Sequence, residues 1–141
     1  MLPIQMLMVE DNEGDILLVT EAIEETGISI QLSVVTDGKE AMDFLNRSGI
    51  HQHATIPDLV LLDVNLPKIN GYEVLRRVKE DVALRHIPVI MFTTSSSQKD
   101  INKAYKHKAN LFITKPVHDG GFLEVVTSIE HFWVSENDNR E

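Results

Sequence analysis

The 141-residue sequence contains no cysteine, which excludes disulfides, thiolate metal sites and thiol nucleophiles together. It has no apolar run near the ~18 residues that a membrane helix needs. Its start, "MLPIQMLMVED", has neither the basic region nor the small-residue cleavage site of a secretory signal. These absences point to a cytoplasmic protein with no membrane segment. Cationic residues are also scarce, with 13 Lys+Arg against 22 Asp+Glu and a net charge of -9. Such a surface repels phosphate backbones and argues against direct nucleic-acid binding. Most of the excess acid serves solubility. The sequence shows no internal repeat and no linker, and its length suits one domain with its own core.

What the sequence does have is alternation. Five apolar, strand-like runs, "IQMLMV" (4–9), "ISIQLSVV" (28–35), "DLVLL" (58–62), "IPVIMFT" (87–93) and "NLFIT" (110–114), are separated by segments of helical period. The first helix carries Leu18, Val19, Ala22 and Ile23 on one face, and the second carries Ala41, Phe44 and Leu45. The third shows Leu75, Val78 and Val82, and the fourth only Ile101, Ala104 and Tyr105. The fifth has the clearest stripe: Phe122, Val125, Val126 and Ile129, prolonged by Phe132 and Trp133. Gly27, Gly38, Gly71 and Gly120–Gly121 punctuate the joins. Repeated βα units imply an α/β fold, a doubly wound five-stranded parallel sheet with five helices on its two faces. Runs one, three and four are continuously apolar, as central strands are, whereas run two alternates and run five is short. Right-handed crossovers then give the strand order 2-1-3-4-5. A single domain over 1–134 is expected, followed by a disordered tail, "SENDNRE", over 135–141.

In such a sheet, ligands gather at the carboxyl ends of the strands, where the winding reverses. The first run ends in Glu10–Asp11, the third in Asp63, the fourth in Thr93–Thr94 and the fifth in Lys115–Pro116. Runs one and three are neighbours in the inferred order, so Glu10, Asp11 and Asp63 converge. Two unit charges ~4 Å apart repel by roughly 4 kcal/mol at an effective dielectric of about 20. A divalent cation relieves this, and all-oxygen ligands favour Mg²⁺, with Mn²⁺ as an alternative. With the Lys115 ammonium and the Thr93 hydroxyl, the set matches what phosphoryl transfer requires. A carboxylate can itself be the nucleophile, and Asp63 holds the best position for that role. Taken alone, Glu10–Asp11 reads equally as a polar exit into a helix N-terminus, Thr93 as a strand-end threonine and Lys115 as a loop residue. Their joint placement at one sheet edge favours the site. Of the six histidines, His51 and His53 lack a further ligand cluster and read as solvated loop residues.

The segments "MLMVEDNEGD", "PDLVLLDVNLPKINGYEVL", "PVIMFTTSSS" and "ITKPV" resemble, in order and spacing, a two-component response-regulator receiver domain, over residues 4 to about 133. The resemblance implies a flavodoxin-like fold and a phosphoprotein that takes a phosphoryl group on Asp63 from a histidine kinase's phosphohistidine. It implies that Glu10, Asp11, Asp63 and the main-chain carbonyl of Asn65 hold the metal, and that Thr93 and Lys115 contact the phosphoryl oxygens. Phe112 matches the switch aromatic, and Lys115–Pro116 a cis peptide bond. Polar Asn65 and Thr94 beside the site are expected to tune phosphoryl lifetime by admitting an attacking water. The readout surface would be the fourth helix, fifth strand and fifth helix. Homodimerisation through Ile101, Tyr105, Phe132 and Trp133 is expected there, although those aromatics could instead close the core. A stand-alone receiver, without an output domain, is expected. More narrowly, "VEDNEGD", "FTTSSSQKDI" and the ten-residue connection "NRSGIHQHAT" resemble the small receivers paired with bacterial and cyanobacterial phytochrome kinases. Two rivals of other classes are an aspartate-nucleophile phosphatase-like hydrolase and a phosphate-independent scaffold. The hydrolase typically carries a second Asp where Asn65 stands, and the scaffold leaves the shared acids, Thr93 and Lys115 unexplained.

Overall fold

The computed structural model describes residues 2–138. It has five strands, β1 (Ile4–Val9), β2 (Ile30–Val35), β3 (Leu59–Leu62), β4 (Val89–Thr93) and β5 (Leu111–Thr114). They alternate with five helices, α1 (Glu13–Thr26), α2 (Gly38–Leu45), α3 (Gly71–Glu80), α4 (Gln98–Lys106) and α5 (Phe122–Asp138). All strand pairings are parallel, in the order β2-β1-β3-β4-β5. The expected order and fold class are therefore observed.

Alternation along each central strand builds two cores. Leu7, Val9, Val60, Leu62, Val89 and Met91 face α2, α3 and α4, while Met6, Met8, Leu59, Leu61, Ile90 and Phe92 face α1 and α5. Burial on both faces is why β1, β3 and β4 read as unbroken apolar runs. Side-chain caps start the helices that approach the carboxyl edge: Asn12 for α1, Asp37 for α2, Asn70 for α3 and Ser97 for α4. Each accepts from a main-chain N–H in the first turn, satisfying a donor that the helix itself cannot.

Two expectations shift at element ends. Val82 does not extend the α3 face, because the helix stops at Glu80 and Val82 is 77% exposed. The tail does not begin at 135: α5 continues to Asp138, with Asn137 Nδ2 donating to the Trp133 carbonyl at 2.8 Å. The remainder of the expected tail, 139–141, lies outside the described residues. Phe132 and Trp133 pack against the α1/α5 core while staying half-buried.

Candidate functional site

The rigid tips of three strands build the site. The N–H of Asp63 donates to the Val9 carbonyl at 3.1 Å, so the end of β3 is tied to the end of β1. Asp63 Oδ1 accepts from the Val64 N–H at 2.8 Å, which orients the carboxylate. The loop after β3 is clamped from below by α3, because the Gly71 N–H donates to the Val64 carbonyl at 2.8 Å. A Cβ on Gly71 would lie 2.0 Å from the Asp63 carbonyl oxygen, so only glycine permits this approach. Gly38, at the start of α2, is equally tight against Ile69 of the same loop.

Glu10, Asp11 and Asp63 converge as expected, with one carboxylate oxygen from each lying within 4.8 Å of the others. Glu10 is 1% and Asp63 6% exposed, whereas Asp11 is open to solvent. Lys115 Nζ reaches Glu10 Oε1 at 2.7 Å and Asp63 Oδ2 at 3.5 Å, from a side chain only 8% exposed. Its 2.7 Å approach to Glu10 Oε1 pairs a buried carboxylate with the ammonium. Three converging carboxylate oxygens suit a hard divalent ion. Asn65 is exposed on the loop after β3, beside this cluster in sequence.

The electrostatics follow from crowding. Burial, reinforced by the Asp63 charge, raises the Glu10 carboxyl from 4.5 to about 7 against the pull of Lys115. Burial also works against the Lys115 ammonium, but the carboxylates of Asp15, Glu10 and Asp63 outweigh it and hold the group above its ordinary range.

Thr93 ends β4 and is buried, and Thr94 beside it is exposed. The Asp63 carboxylate is bonded by the Val64 N–H and by Lys115, and Thr93 is not among its partners here. Phe112 is half-buried on β5 against the α2–α4 core, paired in register with Met91. One expectation is overturned: the Lys115–Pro116 bond is trans, as are all described peptide bonds. Trans is intrinsically favoured even before proline. With the Lys115 N–H on the Thr93 carbonyl at 2.6 Å and Pro116 packed against Gly121, the lysine reaches the cleft without the cis bond. His51 also departs from a solvated loop residue, since its Nε2 lies 3.3 Å from Glu40 Oε1 and its ring packs beside Phe44.

Sequence reasoning missed Asp15. Its Oδ2 accepts from Lys115 Nζ at 2.8 Å, a shorter contact than the one to Asp63. The available signal was position: Asp15 lies in the first turn of α1, the helix that starts at the edge where Glu10 and Asp11 follow β1.

The comparisons agree with this geometry. Residues 6–127 match the response regulator receiver domain. Response regulator Rcp1 of Synechocystis sp. is 37% identical over 94% of this chain and 90% of its own length. The probable methanogenesis regulatory protein FilR2 of Methanothrix harundinacea is 36% identical over 96% of this chain and 86% of its own. Among solved structures, the phosphorylated cyanobacterial phytochrome response regulator RcpA superposes with a TM-score of 0.87 at 40% identity, covering 95% of this chain and 96% of that one. The Mn²⁺-bound form of Rcp1 gives 0.85 at 37% identity, with 93% and 94% coverage. With the fold, the acidic cleft and the lysine in place, the chain belongs to the response regulator receiver domain family, the signalling proteins that partner sensor histidine kinases.

Proposed function

We propose that Asp63 accepts a phosphoryl group from the phosphohistidine of a sensor histidine kinase. The observation that carries this reading is the Asp63 carboxylate itself, buried at the tip of β3 and facing two further acids and a lysine. An Asp63 oxygen attacks phosphorus, the O–P bond forms, the P–N bond breaks, and the imidazole leaves with the electron pair. Glu10, Asp11, Asp63 and the Asn65 carbonyl would hold Mg²⁺, or Mn²⁺ in its place. The ion supplies charge neutralisation for the incoming phosphoryl oxygens. Lys115 donates to one of these oxygens, and the Thr93 hydroxyl to another after its side chain swings toward Asp63. Phe112 follows that movement inward and alters the α4-β5-α5 surface. Exposed Asn65 and Thr94 admit the water that later hydrolyses the acyl phosphate.

Four ordered motifs and the likeness to Rcp1 and RcpA support a cytoplasmic protein whose kinase partner is a phytochrome. We infer a homodimer through α4-β5-α5, where α4 carries Tyr105, 46% exposed, with half-buried Ile101, and α5 carries half-buried Phe132 and Trp133. Sedimentation at high concentration, with and without a phosphoryl mimic, tests this, and a monomer under both conditions refutes it. For the phosphoacceptor reading, the chain is incubated with a small phosphodonor and Mg²⁺ and its intact mass is measured. One phosphoryl adduct is expected, absent from Asp63→Asn. Steady consumption of donor without adduct would instead indicate a hydrolase, and no reaction a scaffold.

A further inference from the structure

An ammonium has three donors, and Lys115 Nζ has three carboxylate neighbours: Glu10 at 2.7 Å, Asp15 at 2.8 Å and Asp63 at 3.5 Å. Asp15 is the one whose presence neither metal binding nor helix capping explains. The converging metal-ligating oxygens belong to Glu10, Asp11 and Asp63. The cap of α1 is Asn12, whose Oδ1 accepts from the Asp15 N–H at 2.9 Å. An acid in the first turn complements the helix dipole, but exposed Glu13 already does so. The dipole gives no reason for a bond to a lysine 100 positions away.

We propose that Asp15 is a positioning residue that competes with the phosphoryl group for the Lys115 ammonium and so holds the cleft in its resting arrangement. The inference rests on Asp63 as the phosphoryl acceptor. In the resting chain Lys115 makes a full hydrogen bond to Asp15 and only a marginal one to Asp63. A phosphoryl group on Asp63 adds roughly −1.5 to −2 charge and strong acceptors on that side. Lys115 then transfers its bond from Asp15 to a phosphoryl oxygen. The Asp15 side chain, 19% exposed, is left to solvent at the cleft rim. Charge loss and lost competition predict the same sign when Asp15 is neutralised, so the test must separate them through Lys115.

The probe is beryllofluoride with Mg²⁺, a tetrahedral phosphoryl mimic, titrated calorimetrically into the full chain. The variants are Asp15→Asn, Asp15→Glu, Lys115→Met and the double variant Asp15→Asn/Lys115→Met. Asp15→Asn is expected to bind the probe about fivefold more tightly, and Asp15→Glu to stay within about twofold of the natural chain. In the Lys115→Met background, Asp15→Asn should change binding by less than about twofold. Equal tightening with and without Lys115 overturns the proposal, because only a negative charge has then been removed. Unchanged or weaker binding by Asp15→Asn overturns it as well. Should Lys115→Met fail to fold by circular dichroism, Lys115→Gln takes its place in the cycle. Failure of the natural chain to bind the probe overturns the Asp63 reading and this inference with it. Natural binding with the wrong Asp15 pattern overturns the inference alone.

Discussion

Two lysines sit at opposite ends of the same sheet, each surrounded by three oxygen atoms, and the kind of oxygen separates their roles. At the carboxyl edge, Lys115 faces the carboxylates of Glu10, Asp15 and Asp63. At the amino edge, Lys79 donates to the carbonyls of Arg85 and Ile87 and to Asn110 Oδ1, at 3.3, 2.8 and 2.9 Å. Burial alone acts on Lys79 and lowers it to about 8, whereas carboxylates overcome burial at Lys115 and raise it. Neutral carbonyls make a lysine a tie between segments. Carboxylates make it one member of a charge cluster whose balance shifts when another charge arrives.

Removing each lysine should break this contrast in different ways. Lys115→Met leaves buried acids without their cation and is expected to destabilise the metal-free chain by about 3 kcal/mol in urea unfolding. Saturating Mg²⁺ should recover part of that loss, since the ion binds the folded state only. Lys79→Met takes the lysine donor from two backbone carbonyls and leaves the Asn110 amide oxygen to the Val89 N–H, at an expected cost of about 2 kcal/mol. Mg²⁺ should restore none of it. Equal recovery by Mg²⁺ in both variants would mean the two ends are not electrically distinct.

A smaller effect sharpens the same comparison through pH. Glu10 is raised from 4.5 to about 7, so the folded, metal-free chain keeps a proton there that the unfolded chain releases. The stability this contributes is fully present below about 4.5 and is lost as pH rises through about 7. Melting of the metal-free chain as a function of pH should therefore show a decline over this window that Glu10→Gln lacks. Parallel curves for the two chains would contradict the assignment. Mg²⁺ affinity should run the other way and weaken as pH falls below about 7, because the ion needs the carboxylate.

The contrast between the two lysines also shows what the sequence could reveal. Asp63, Glu10–Asp11, Thr93 and Lys115 each end an apolar run, so a count of strand tips finds them. The sheet order was legible because β1, β3 and β4 are buried on both faces and read as unbroken apolar stretches. Asp15 was not, because within "EDNEGD" it looks like any first-turn acid, and its partner lies 100 residues away. Lys79 reads as an ordinary helix-surface lysine, since nothing local announces carbonyls from the β4 and β5 approaches. The Lys115–Pro116 isomer escaped for a related reason. An X–Pro pair permits both forms, and the surrounding packing, here Pro116 against Gly121, accompanies the trans one. His51 likewise depends on Glu40 and Phe44 across the turn after α2.

The central claim is that one carboxylate, at the tip of β3, carries the phosphoryl group. Borohydride reduces an acyl phosphate to the alcohol, so trapping the phosphorylated chain and mapping its peptides by mass locates the modified residue directly. The account predicts homoserine in place of Asp63 and aspartate intact at positions 11 and 15. Reduction at Asp11 or Asp15, or a phosphorylated chain with Asp63 unmodified, would contradict it.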